Sequence, residues 1–199
     1  IASSPVAAAP TSASEPGRQL DGATPPVAPL PASSSSSLTF GCLNRLSKLS
    51  DRSVALWSQL LGEMPDARLL LKDTQLSDPN ECRRVERAFA EHGVAGDRLI
   101  LLGGTSHLDH LAIYGKVDIA LDPFPQSGGV STFESLWMGV PAVALVGPSV
   151  SGRGAASIMT ALGLGDWVAA TENEYLAIAR RKAADLGALA SLRGALRPL

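Results

Sequence analysis

Residues 117–146, VDIALDPFPQSGGVSTFESLWMGVPAVALV, decide the fold. Val117–Leu121 is a short, mostly apolar run of the kind that forms a buried strand. A loop rich in Pro and Gly follows. Ser131–Met138 then reads as a helix, and Ala142–Val146 as a second buried strand. Strand, glycine-bearing turn, helix, strand is the unit from which parallel sheets are built.

The same alternation extends in both directions. Upstream, Leu38–Cys42 (LTFGC) reads as a first strand. Ser53–Met64 carries Val54, Leu56, Trp57, Leu60 and Leu61 on one helical face, and Pro65 stops it. Ala67–Leu71 reads as a strand. Asp78 and Pro79 open a helix to about His92, with Gly93 just past its end. Leu99–Leu102 is a third strand and Ser106–Tyr114 a short helix. Downstream, a helix is expected from about Arg153 to Leu162 and a mostly helical tail from Thr171. The predicted class is α/β: a Rossmann-like, doubly wound parallel sheet with helices on both faces.

Composition sets the boundaries. Residues 1–37 are mostly Ala, Ser and Pro without an aromatic residue, so they read as a disordered linker or an extended strap. Pro25–Pro31 suits an extended course along a neighbouring domain. The folded unit is then expected over residues 38–199. The formal net charge of -2, without a basic run, argues against a nucleic-acid surface. No apolar stretch approaches the ~20 residues of a membrane span. Cys42 and Cys82 are too few and too isolated for a disulfide framework or a zinc site, which points to a reduced, cytoplasmic protein.

In doubly wound sheets, ligands bind beyond the carboxyl ends of the strands. Asp122–Glu134 (DPFPQSGGVSTFE) occupies such a place. Gly128 and Gly129 let the backbone approach a ligand, and a helix starting near Ser131 would offer free N–H groups to a phosphate. Glu134, one turn into that helix, could accept hydrogen bonds from a ribose. A tight strand-to-helix turn with a solvated Glu explains the loop equally well, since a Gly-Gly pair alone is a weak signal.

The string 128–143, GGVSTFESLWMGVPAV, resembles the signature of nucleotide-sugar glycosyltransferases with the two-domain GT-B fold. Its elements are Gly128, Gly129, Ser131, Glu134, Gly139, Pro141 and the strand Ala142–Val146. Four further strings narrow the resemblance: TFGCLNRLSKL (39–49), LDHLAIYGKVDIALDPFP (108–125), SGRGAAS (151–157) and LGLGDWVA (162–169). Their order and wording look like the C-terminal catalytic half of the O-GlcNAc-transferase family, in its bacterial, SPINDLY-like branch with tetratricopeptide repeats. The resemblance runs from about Val27 to the C-terminus.

It implies a UDP-sugar-binding domain, with transfer of N-acetylglucosamine from UDP-GlcNAc to Ser or Thr of a protein acceptor. The family's diphosphate-contacting Lys falls on Lys48, its neighbouring Gln on Arg45, and its uracil-side His on His110. Gly128, Gly129, Val130, Ser131 and Glu134 complete the implied UDP site. The chain departs from the animal enzymes at His107, Ile113 and Val130, where those have Lys, Arg and Thr. Arg153 would order its loop. No general base is implied within these residues: the family's candidates lie in an N-terminal Rossmann half and a repeat region, so this part alone is expected not to transfer sugar. Neither a metal nor another cofactor is expected.

Two alternatives stay open. One is transfer of another hexose, such as glucose from UDP-glucose. The other is a module that binds nucleotide without catalysis. A dinucleotide-dependent dehydrogenase is disfavoured, because Gly41-Cys42-Leu43-Asn44 stands where a G-x-G-x-x-G would follow the first strand.

Overall fold

The computed structural model describes residues 24–35 and 37–199. Six strands form one sheet: β1 (Thr39–Cys42), β2 (Arg68–Lys72), β3 (Leu99–Leu102), β4 (Ile119–Leu121), β5 (Ala142–Leu145) and β6 (Val168–Ala169). Every neighbouring pair is parallel, in the order β3-β2-β1-β4-β5-β6. The helices are α1 (Asp51–Glu63), α2 (Pro79–Ala90), α3 (His107–Ile113), α4 (Val130–Trp137), α5 (Gly154–Ala161), α6 (Glu172–Ala184) and α7 (Leu186–Ala195). α1 packs on α2 and α6, while α4 packs on α5, and β5 touches α4, α5 and α6. The sheet is therefore covered on both faces, which is why its strands are apolar runs rather than alternating ones.

Local chemistry sets the element ends. α1 starts two residues before the expected Ser53, because the Ser50 side chain accepts the Ser53 N–H at 3.1 Å and Asp51 favours the first turn. Gly93, just beyond α2, takes φ +82, the left-handed conformation that ends helices cheaply. Val117 falls outside β4 and follows a 3-10 turn over Tyr114–Lys116. β6 has only two residues, too few to leave a periodic trace in the sequence.

The core is continuous across the sheet. Phe40, Trp57, Leu60, Leu69, Leu70, Phe89, Tyr114 and Tyr175 are all buried. Trp57 Nε1–H donates to the Tyr175 hydroxyl at 3.3 Å, and that hydroxyl donates to the Asp122 carbonyl at 3.2 Å. Two bulky residues thus satisfy their polar ends while fixing the exit of β4.

The packed unit includes residues before Leu38, in the segment read as a disordered linker or an extended strap. The part of the expected linker over residues 1–23 lies outside the described residues. From Pro25 onward the chain lies against this same domain. Leu30 and Ala32 are buried, and Pro31–Ser33 forms a 3-10 turn. Asp118, fully buried, accepts the Ala32 N–H at 2.9 Å and the Thr39 N–H at 2.8 Å. Arg193 of α7 donates to the carbonyls of Ala28, Val117 and Tyr114, and Arg197 donates to that of Pro25. Composition alone leaves linker and strap undecided, because backbone groups of the segment are held by charged side chains far away in sequence. No described helix is long and apolar enough to cross a membrane.

Candidate functional site

The strand order reverses between β1 and β4, and the loops leaving these two strands face each other there. That position is where open α/β sheets hold ligands. Asp122, the first residue after β4, organises its loop. One carboxylate oxygen accepts the Gly128 N–H at 2.6 Å; the other accepts the Ser127 hydroxyl at 2.7 Å. The same Ser127 hydroxyl accepts the Ala155 N–H of α5 at 2.8 Å. A side chain at Gly128 is excluded, since its Cβ would sit 2.6 Å from Thr132 Oγ1 and 2.8 Å from Asp122 Oδ1. Burial pushes the Asp122 carboxyl up to about 7, against the lowering effects of Ser127, Gly128 and the nearby Lys48.

The loop after β1 reaches across to this one. Lys48 Nζ donates to the Ser127 carbonyl at 2.8 Å and to Asn44 Oδ1 at 3.3 Å. Asn44 Oδ1 also accepts the Ser131 hydroxyl at 2.7 Å. Lys48, Asn44 and Ser131 therefore stand together at the start of α4.

That start is unusual in this molecule. Side chains cap the N-termini of α1, α2, α3, α6 and α7, from Ser50, Asp78, Ser106, Thr171 and Asp185 respectively. α5 has no cap of its own, but Ser127 serves its Ala155 N–H. α4 follows Gly129 with no side-chain cap at all. The first amides of α4, at Val130 and Ser131, are left for an acceptor from outside, beside the Lys48 ammonium. Such an arrangement is suited to an anion.

One turn further along α4, Glu134 Oε2 lies 3.2 Å from His110 Nε2 of α3. Tyr114 meets the His110 ring edge-on at 5.8 Å and donates its hydroxyl to the Ser131 carbonyl at 3.0 Å. Lys72, the last residue of β2, is buried without a side-chain hydrogen bond among the described residues. Burial lowers its pKa, and the carboxylates of Asp73 and Glu134 pull it back up. The site thus has one end suited to an anion, at Lys48 and the α4 amides, and a second end where a carboxylate, an imidazole and an ammonium converge. Among the described residues, no group of three or more His, Cys, Asp or Glu is placed to hold a metal ion.

The model of glycosyl transferase family 41 matches residues 30–198. The chain belongs to glycosyl transferase family 41. A rice protein described as a probable UDP-N-acetylglucosamine–peptide N-acetylglucosaminyltransferase SPINDLY is 39% identical to it over 180 residues, covering 87% of the chain and 19% of the rice protein. The solved O-GlcNAc transferase of Thermobaculum terrenum is 42% identical with a TM-score of 0.80, over 88% of this chain and 34% of that one. A sucrose-phosphate synthase from Thermosynechococcus elongatus, 18% identical with a TM-score of 0.55, shares the fold alone. The chain spans less than a fifth of the length of the curated SPINDLY relatives it matches.

Within the family 41 domain, seven of the eight residues singled out in the sequence fall at one place: Lys48, Gly128, Gly129, Val130, Ser131, Glu134 and His110. Arg45 is exposed and makes no side-chain hydrogen bond among the described residues. His107 is exposed at the start of α3, with its ring stacked 6.5 Å from that of His110. Arg153 donates to the Gly147 carbonyl at 2.8 Å and so ties its own loop. The structure adds Asn44, Asp122, Ser127 and Lys72. A carboxylate directly between a buried strand and a Gly-Gly turn was the available signal for Asp122. No local signal marked the other three.

Proposed function

We propose that this family 41 domain holds the UDP part of UDP-N-acetylglucosamine. Within a longer protein it would present the sugar for transfer to Ser or Thr of a protein acceptor. The observation that carries the reading is the uncapped start of α4, with the Lys48 ammonium beside it, at the switch point of the sheet. A diphosphate supplies the anion that such a helix start lacks.

In this reading the Val130 and Ser131 amides and the Ser131 hydroxyl bind phosphate oxygens, with Gly128 and Gly129 keeping the approach open. Lys48 offsets the charge that grows on UDP as the sugar leaves, a task assigned to protein groups rather than to a metal ion. Glu134 accepts from the ribose hydroxyls, and His110 lies on the uracil side. Arg45 reaches the nucleotide only by turning in from solvent. The group that takes the acceptor's proton belongs to the remaining part of the protein, the N-terminal half and repeats that the longer relatives' lengths leave room for.

Calorimetry with UDP, UMP and uridine tests this. Lys48→Ala should weaken UDP by roughly 1.5–3 kcal/mol, the range for hydrogen bonds to charged groups, and leave uridine nearly unchanged. An unchanged UDP affinity would return Lys48 to a purely structural tie between two loops. No UDP binding by the folded chain at millimolar concentration would overturn the reading.

A further inference from the structure

Asp122 touches no ligand in the proposed site, yet the Ser127–Gly128 turn ahead of α4 is tied to it. It is 3% exposed, and each of its carboxylate oxygens accepts one bond, both from neutral donors: the Gly128 N–H and the Ser127 hydroxyl. Ser127 then passes the connection on. Its hydroxyl receives the Ala155 amide, the second of α5, and its carbonyl holds Lys48 Nζ. The α5 start is pressed against the same loop, since a Cβ on Gly154 would lie 2.5 Å from the Gly128 carbonyl oxygen.

Among the described residues, no cation forms an ion pair with this buried carboxylate. Lys48 is the nearest, and its ammonium is engaged by Ser127 and Asn44. Cys42 faces Asp122 from β1 and Tyr175 from α6; burial pushes the Cys42 thiol up to about 12 and the Tyr175 phenol well above its usual range. Neither carries charge near neutral pH. Arg153, ahead of α5, is committed to the Gly147 carbonyl. Among the described residues Asp122 therefore has one opposing charge, Lys48, and only Ser127 and Gly128 separate it from the place where a diphosphate would sit.

Resting on the UDP reading above, we propose that Asp122 positions the donor loop and takes up a proton from solvent when the diphosphate binds. The sign follows from charge. A diphosphate at the α4 start competes for Lys48 and adds negative potential on the far side of the loop, so the neutral carboxyl gains. Burial already holds the group at about 7, close to the switching range. The loop tolerates the change. A protonated Oδ2 donates to Ser127 Oγ, whose own hydrogen turns to the Gly128 carbonyl 3.3 Å away, while Oδ1 keeps the Gly128 N–H. The bond count is preserved and the charge is gone.

The test is calorimetry of UDP-GlcNAc, whose diphosphate is esterified at both ends and does not titrate between pH 6 and 8. Binding at pH 7 in buffers of different ionisation enthalpy should show uptake of a fraction of a proton. Affinity should rise from pH 8 to 6, up to about tenfold for a one-unit shift of the carboxyl. Asp122→Asn should abolish both effects, whereas His110→Gln should keep them. The carboxyl carbon resonance of Asp122, followed against pH in the unsubstituted chain, should show a higher midpoint with UDP-GlcNAc than without, which needs no variant to fold. Binding without proton uptake, or uptake that survives Asp122→Asn and vanishes in His110→Gln, overturns the proposal alone. Absence of UDP-GlcNAc binding at every pH overturns the UDP reading and this proposal with it.

Discussion

Replacing Glu134 by Ala should cost nucleotide affinity in a way that reports which part of the nucleotide it touches. Glu134 sits in the second turn of α4 with its side chain 21% exposed, and its Oε2 is engaged by His110. Oε1 has no hydrogen-bond partner among the described residues and remains to accept from a ligand. A bond between a carboxylate and a hydroxyl contributes about 1.5–3 kcal/mol, so Glu134→Ala should raise the UDP Kd roughly ten- to a hundredfold. For 2′,3′-dideoxy-UDP the loss should be several-fold smaller, because the hydroxyls are already gone. The folded state should change by about 1 kcal/mol or less, since a partly exposed pair with His110 is a minor contribution. Paired titrations of UDP and its dideoxy analogue, with urea unfolding of both proteins, measure all three. Equal losses for the two nucleotides would remove Glu134 from the ribose.

The remaining predictions concern two buried charged residues, Arg193 and Asp122. Arg193→Met should destabilise the chain by about 3 kcal/mol or more in urea unfolding, because the carbonyls of Ala28, Val117 and Tyr114 lose their donor together. A cost below about 1 kcal/mol would mean that the Pro25–Ser33 segment adds little to the fold. Asp122 binds its proton more tightly in the folded chain, at about 7, than in the unfolded one, near 3.9. Its stabilising contribution is therefore present below the unfolded value and lost as pH rises through about 7. Asp122→Asn should gain on the unsubstituted chain between pH 5 and 7, by at most about 1.4 kcal/mol per pH unit, and no further above pH 8. Parallel unfolding curves across that range would contradict the burial argument.

The sheet was legible because its strands are buried on both faces and stand out as apolar runs between Gly, Pro and Asp. The strap was not. Leu30 and Ala32 look like any residues of an Ala- and Pro-rich linker, and their anchors, Asp118 and Arg193, are 86 and 161 positions from Ala32 in the chain. The site divides along the same line. Ser131, Glu134 and the glycines lie within one short string whose spacing carries its own geometry. Asn44 acts by receiving the Ser131 hydroxyl 87 positions away, and Ser127 by joining Lys48 to α5, pairings that no local spacing encodes. Lys72 looks like a solvated strand end and is instead buried, at the position where β2 pairs with Leu102 of β3.

The central claim is that the start of α4 receives the diphosphate of UDP. Backbone amide resonances of the isotopically labelled chain, followed during titration with UDP, test it most directly. The largest changes are expected at the Val130 and Ser131 amides, with the Asn44 side-chain amide and the His110 ring moving alongside, and uridine alone should leave Val130 and Ser131 nearly still. Changes centred on the groove formed by Arg52, Phe124, Pro148 and Glu172, with the Val130 and Ser131 amides unmoved at saturating UDP, would contradict it.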